Sequence, residues 1–190
     1  MNTSRTARKA PGRLQGSRTK RPAPRGRRHA IIGLSEPGER IRGDALKARL
    51  MELVPTIATM ASWGADLSNV EVKLRVRRRP PWATSGSSDP ATRRITMLLG
   101  NNEAEAIGYL IHEFAHCAMF RRGWTEEGHG VRFANFERAA FEEYLGERLD
   151  VKAKDAQAYG GSGLRHHRYA QLGAFVRQLA ARLNEQKKGA

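Results

Sequence analysis

The sequence predicts an α+β domain in which a small sheet, antiparallel or mixed, packs on helices. Three observations carry this. Val70, Val72, Leu74 and Val76 alternate with polar residues at the period of a half-buried strand, and Ile95, Met97 and Leu99 repeat the pattern. Several longer stretches place apolar residues at helical spacing instead. A length of 190 residues allows one sizeable core with tails, not two.

In chain order, residues 1–30 hold ten of the 34 Lys and Arg and none of the 19 Asp and Glu, among Pro, Gly, Ser and Thr. Such a segment cannot bury enough apolar surface to offset the entropy of ordering it, so a disordered basic tail is expected. The whole chain carries +15, but outside the tail 24 bases face 19 acids, leaving +5. A surplus so concentrated suits a polyanion, and nucleic acid is the expected partner of residues 1–30. Pro11, Pro22 and Pro24 argue against an amphipathic transit helix.

Residues 31–150 are expected to form the main domain, and residues 151–190 a C-terminal extension with an amphipathic helix. From Asp44, the positions Leu46, Leu50, Leu53, Val54, Ile57, Met60 and Ala61 predict a first helix with Gly64 as its stop. Pro55 predicts a kink or break near Val54. After the first strand, residues 77–93, rich in Pro, Ser and Gly, read as a long loop. The second strand ends at Gly100.

Asn102 with Glu105 three residues on is a capping-box pattern, in which each side chain satisfies a free backbone N–H at a helix start. The helix it opens carries Ala106, Ile107, Leu110, Ile111, Phe114, Ala115 and Ala118, and ends at Arg121, Arg122 and Gly123. A further helix follows with Phe133, Phe136, Ala140, Phe141 and Tyr144 on one face, ending near Gly146. The last shows Leu172, Phe175, Val176, Leu179 and Leu183.

Within the capped helix lies His112-Glu113-Phe114-Ala115-His116. Histidines four apart stack on one helix face at a spacing able to chelate one ion, expected to be zinc, while Glu113 sits about 100° round the helix, beside that ion. Zinc acidifies water and polarises a carbonyl, and an adjacent carboxylate can carry a proton from water to a leaving amine. That is the chemistry of peptide hydrolysis. A catalytic zinc takes three protein ligands, and two candidates compete for the third place. His129 lies thirteen residues beyond His116 between Gly128 and Gly130, which permit close approach. Glu137, Glu142 and Glu143 on the following helix are the alternative, although all three have ordinary roles as exposed helix charges.

The helical His112 to His116 motif, a short loop, then Gly128-His129-Gly130 and Phe133 before a helix, resembles the SprT-like (Spartan-type) metalloproteases over about residues 93–145. The resemblance implies a zincin-like metallopeptidase core, zinc held by His112, His116 and His129, and Glu113 as general base. It further implies that the strand before the helix, residues 93–100, is the edge along which substrate backbone lies, and that the substrates are DNA-associated proteins. Relatives with a cysteine-rich zinc ribbon differ from this chain, whose single cysteine, Cys117, excludes that module and any internal disulfide.

Other residues read more plainly. Cys117 is expected to be a small buried hydrophobe, and Arg165-His166-His167-Arg168 a solvated helix start. Arg77, Arg78 and Arg79 beside Trp82 suit either an exposed loop or nucleic-acid contact. Tyr109 and Tyr144 are candidate donors to an oxyanion, with packing as the alternative. No run approaches 18 apolar residues and no apolar segment follows the basic N-terminus, so neither a membrane span nor a secretory signal is read, and a cytoplasmic location is expected. The leading expectation is a zinc metallopeptidase acting on protein or peptide. The alternatives are a basic nucleic-acid-binding protein whose zinc site is structural or vestigial, and a metallohydrolase of non-peptide bonds.

Overall fold

A computed structural model of the chain describes residues 43–77, 83–124, 129–152, 155 and 165–189. The basic segment 1–30, residues 78–82 with Trp82, Gly128 and the glycine run at 160–163 lie outside the described residues, as do the side chains of Arg165, His166, His167 and Arg168.

Among the described residues the architecture is α+β. The elements run α1 (Gly43–Ala58), a 3-10 turn (Ala61–Trp63), β1 (Glu71–Val76), β2 (Ser85–Asp89), β3 (Arg94–Leu99), α2 (Glu103–Arg121), α3 (Val131–Leu145) and α4 (Arg165–Lys188). The sheet is mixed, in the order β1-β3-β2, with β1 parallel and β2 antiparallel to β3. Leu74 of β1 and Ile95, Met97 and Leu99 of β3 are buried on the face that meets α1 and α2, while Glu71, Lys73 and Arg75 are exposed, as the alternation requires.

Two expectations are corrected. The first helix does not break near Val54; it runs through Pro55 to Ala58. Proline withdraws one N–H from the ladder, but Pro55 lies on the exposed flank, opposite Leu46, Leu50 and Ile57, whose burial keeps the helix seated. Met60 and Ala61 fall beyond it, and Gly64 closes the 3-10 turn instead. The second correction is that residues 77–93 are not all loop, because Ser85–Asp89 forms β2. Its sequence, Ser-Gly-Ser-Ser-Asp, has neither β-branched residues nor apolar alternation. It becomes a strand through its hairpin to β3, where Asp89 accepts the Thr92 N–H (3.3 Å) across the turn at 90–93, and through packing on α2.

The helix with the histidine motif is the centre of the molecule. α2 is buried nearly all round and contacts α1, α3, α4, β2 and β3, the pattern of a core helix. Gly108 lets α4 come close: a Cβ there would stand 2.8 Å from Leu172 Cδ1. Trp63, Phe114, Phe133, Phe141 and Phe175 are fully buried around α2, each contributing roughly 2–3 kcal/mol of transfer free energy. A side chain on α2 is therefore held on a rigid support.

Candidate metal centre

The capping of α2 fixes where its motif points. Asn102 Oδ1 accepts the Glu105 N–H (3.0 Å), and Arg122 and Gly123 return to carbonyls of the last turn. His112 and His116 fall one turn apart, their Nε2 atoms 3.2 Å from each other. His129 comes from the segment just before α3 and sets its Nε2 2.9 Å from that of His116, with its ring stacked on His112 at 5.2 Å. Phe133, in the first turn of α3, is the apolar wall behind them, its ring 4.5 to 5.1 Å from all three imidazoles.

The donor set fits a metal ion. The three ligand atoms lie within 4.8 Å of one another. Tetrahedral zinc with N ligands at 2.0–2.1 Å demands ligand separations of about 3.3 Å, near the 3.2 Å and 2.9 Å that His116 makes with His112 and His129. Imidazole lone pairs turned on one another at this range need a proton or a metal cation between them. The same three residues are His112, buried, His116, partly buried, and His129, exposed, so the cluster opens to one side.

The three carboxylates of α3 all have other roles: Glu143 is exposed as expected, but Glu142 is partly buried and Glu137 is not exposed at all. Glu137 is fully buried, and its Oε1 lies 2.5 Å from His112 Nδ1. A carboxylate accepts, so His112 donates from Nδ1, which fixes the tautomer and leaves the Nε2 lone pair facing His116 and His129. Glu142 accepts from Arg138 and from the Leu149 N–H, and Glu143 accepts both the Ala61 and Ser62 N–H groups at 2.7 Å, capping the 3-10 turn. Glu137 had a legible signal: it stands four residues from both Phe133 and Phe141, an acid within an apolar stripe.

Glu113 is 4% exposed and lies against β2. A Cβ on Gly86 would meet its Oε1 at 2.7 Å and its Cγ at 2.8 Å, so only a glycine leaves room for this carboxylate. An open cleft of about 330 Å³ runs between the two elements, with Gly86, Ser87, Ser88 and Pro90 on one side and His112, Glu113, His116 and His129 on the other. The strand beside the cleft is therefore β2. The expected edge, residues 93–100, becomes β3, which is the middle strand and has no free side.

The remaining candidates fall away from the cleft. Tyr144 packs edge-on against Phe175 (5.8 Å), and burial raises its pKa. Tyr109 is nearer, its ring 6.5 Å from that of His112, and packs on the core. Cys117 is buried, and desolvation, helped by Glu113, pushes its thiol up to about 11, which suits a small core hydrophobe. No helix among the described residues is long and apolar enough to cross a membrane. The chain matches no protein-family model, no curated protein and no solved structure.

Proposed function

We propose that the chain is a zinc-dependent metallopeptidase of the SprT-like kind, with a zincin-like core. The observation that carries this reading is the convergence of three histidine Nε2 atoms beside a buried glutamate, in a cleft bordered by a sheet edge. His112, His116 and His129 would hold the zinc. A bound zinc supplies Lewis acidity, acidifying water and polarising the scissile carbonyl. Glu113 takes the proton of the attacking water and passes it to the leaving amine, so one carboxylate serves as base and then as acid. Its seat against Gly86 prevents it from swinging away. Glu137 holds His112 in the tautomer that presents Nε2. Along the edge of β2 that no described strand occupies, an extended peptide can add as a further strand, recognised through its backbone N–H and C=O groups.

A structural zinc site is closed by four ligands; among the described residues three donors converge, on an open cleft, and this favours catalysis over the reading of a nucleic-acid-binding protein with a structural metal. Nucleic acid remains the proposed partner of residues 1–30 on charge alone, and DNA-associated proteins the proposed substrates. Elemental analysis of purified protein should find about one zinc per chain, lost in His129→Ala. Glu113→Gln should keep the metal while protein hydrolysis falls roughly 10³-fold. Wild-type cleavage rates in Glu113→Gln would reject the mechanism.

A further inference from the structure

We propose that Glu105 is a positioning residue that pins the start of β2 to α2 and thereby holds the cleft's edge strand opposite Glu113. β2 has little of its own to keep it in place. Its five residues carry no apolar side chain, and beyond its ladder with β3 and the hairpin turn, Ser85 accepts from Arg77 Nη2 (3.2 Å) across the sheet.

The anchor lies one residue earlier. Thr84 is buried; its Oγ1 accepts the Gly100 N–H at 3.1 Å, joining the entrance of β2 to the exit of β3. Its own N–H donates to Glu105 Oε2 at 3.3 Å. In a reciprocal capping box the Glu105 carboxylate would return to the backbone of Asn102. Only half of that box forms: Asn102 accepts from Glu105 N, while the Glu105 carboxylate crosses to Thr84.

The arrangement has a cost, which is why it reads as more than incidental packing. Glu105 is 6% exposed, and burial pushes its pKa up to about 7, against the opposing pull of the Thr84 N–H and hydroxyl and of Arg77. Eight residues, about 12 Å of helix, separate Glu105 from Glu113. α2 thus grips β2 twice, by hydrogen bond at Thr84 and by close packing at Gly86.

Hydrogen exchange on the full-length protein tests the clasp without relying on activity. In Glu105→Ala, and in Glu105→Asp, whose carboxylate is one methylene too short, amides of residues 84–89 should exchange at least roughly tenfold faster while α1 and α3 stay protected. Glu105→Gln keeps an acceptor for the Thr84 N–H and should restore wild-type exchange. Unchanged β2 exchange in both Ala and Asp variants, or acceleration spread evenly over the whole core, would overturn the proposal. Its consequence for turnover rests on the peptidase reading: KM for a protein substrate should rise roughly tenfold in Glu105→Asp with kcat and zinc content preserved. A wild-type chain that cleaves nothing would end the peptidase reading and leave the exchange result to decide the clasp.

Discussion

Two buried carboxylates act on α2, one from its first turn and one at its middle, and they are held in different ways. Glu105 leaves α2 for the backbone of Thr84, while Glu137 arrives from α3 to meet the imidazole of His112. Both lie out of solvent, where an ionised carboxylate must be compensated by its partners. The partner decides what the group can do. Facing a backbone N–H, Glu105 can only fix the position of a strand. Facing a ring whose other nitrogen looks into the cleft, Glu137 sets the tautomer and basicity of a metal ligand. The first turn of the helix is mechanical and its middle chemical, on the same rigid support.

Titration is the strongest way to break this comparison. The folded pKa of Glu105, about 7, lies above its ordinary 4.5, so the folded chain binds that proton more tightly than the unfolded chain. The stability this supplies is present below pH 4.5 and is lost as pH rises through about 7. Urea unfolding should therefore show Glu105→Gln gaining on wild type by up to roughly 3 kcal/mol across that window. A difference independent of pH would mean that Glu105 is not the burdened acid described.

At the chemical site, Gly86→Ala should drive Glu113 out of its seat. A displacement of that size costs about 10²-fold in kcat, with zinc retained. Full activity in Gly86→Ala would show that the contact with β2 does not position the base. Glu137→Ala, which removes the acceptor of the His112 Nδ1–H, should weaken zinc binding roughly 10- to 100-fold in a chelator competition. Unaltered affinity would erase the distinction between the two carboxylates, leaving Glu137 as a packed group only. The smallest effect belongs to Cys117→Ala, expected to leave hydrolysis within about twofold and to cost on the order of 1 kcal/mol. An inactive Cys117→Ala with its metal intact would add a residue to the chemistry.

Much of α2 was legible because its determinants are local. The Asn102 cap, the apolar spacing and the basic, glycine-terminated end lie on one continuous segment. The pitch of a helix alone then sets His112 and His116 on one side with Glu113 beside them. His129 was legible from its glycine neighbours and its distance from the motif, and α3 and α4 from their apolar periodicity. β1 and β3 announced themselves by alternation.

What the tertiary structure alone decided are the relations between segments. Ser85–Asp89 has no strand signal of its own and pairs only because β3 and α2 are already there to receive it. Which strand has a free side depends on sheet order, and β3 lost that role by lying between β1 and β2. Pro55 was tolerated because it lies on the exposed flank while Leu46, Leu50 and Ile57 across the helix are buried. Glu105 and Glu137 read as a cap and as an exposed charge until the fold brought Thr84 and His112 within reach. Local spacing along the chain names the groups that can do chemistry, but the partners that orient them come from 21 and 25 residues away, and no periodicity encodes that meeting.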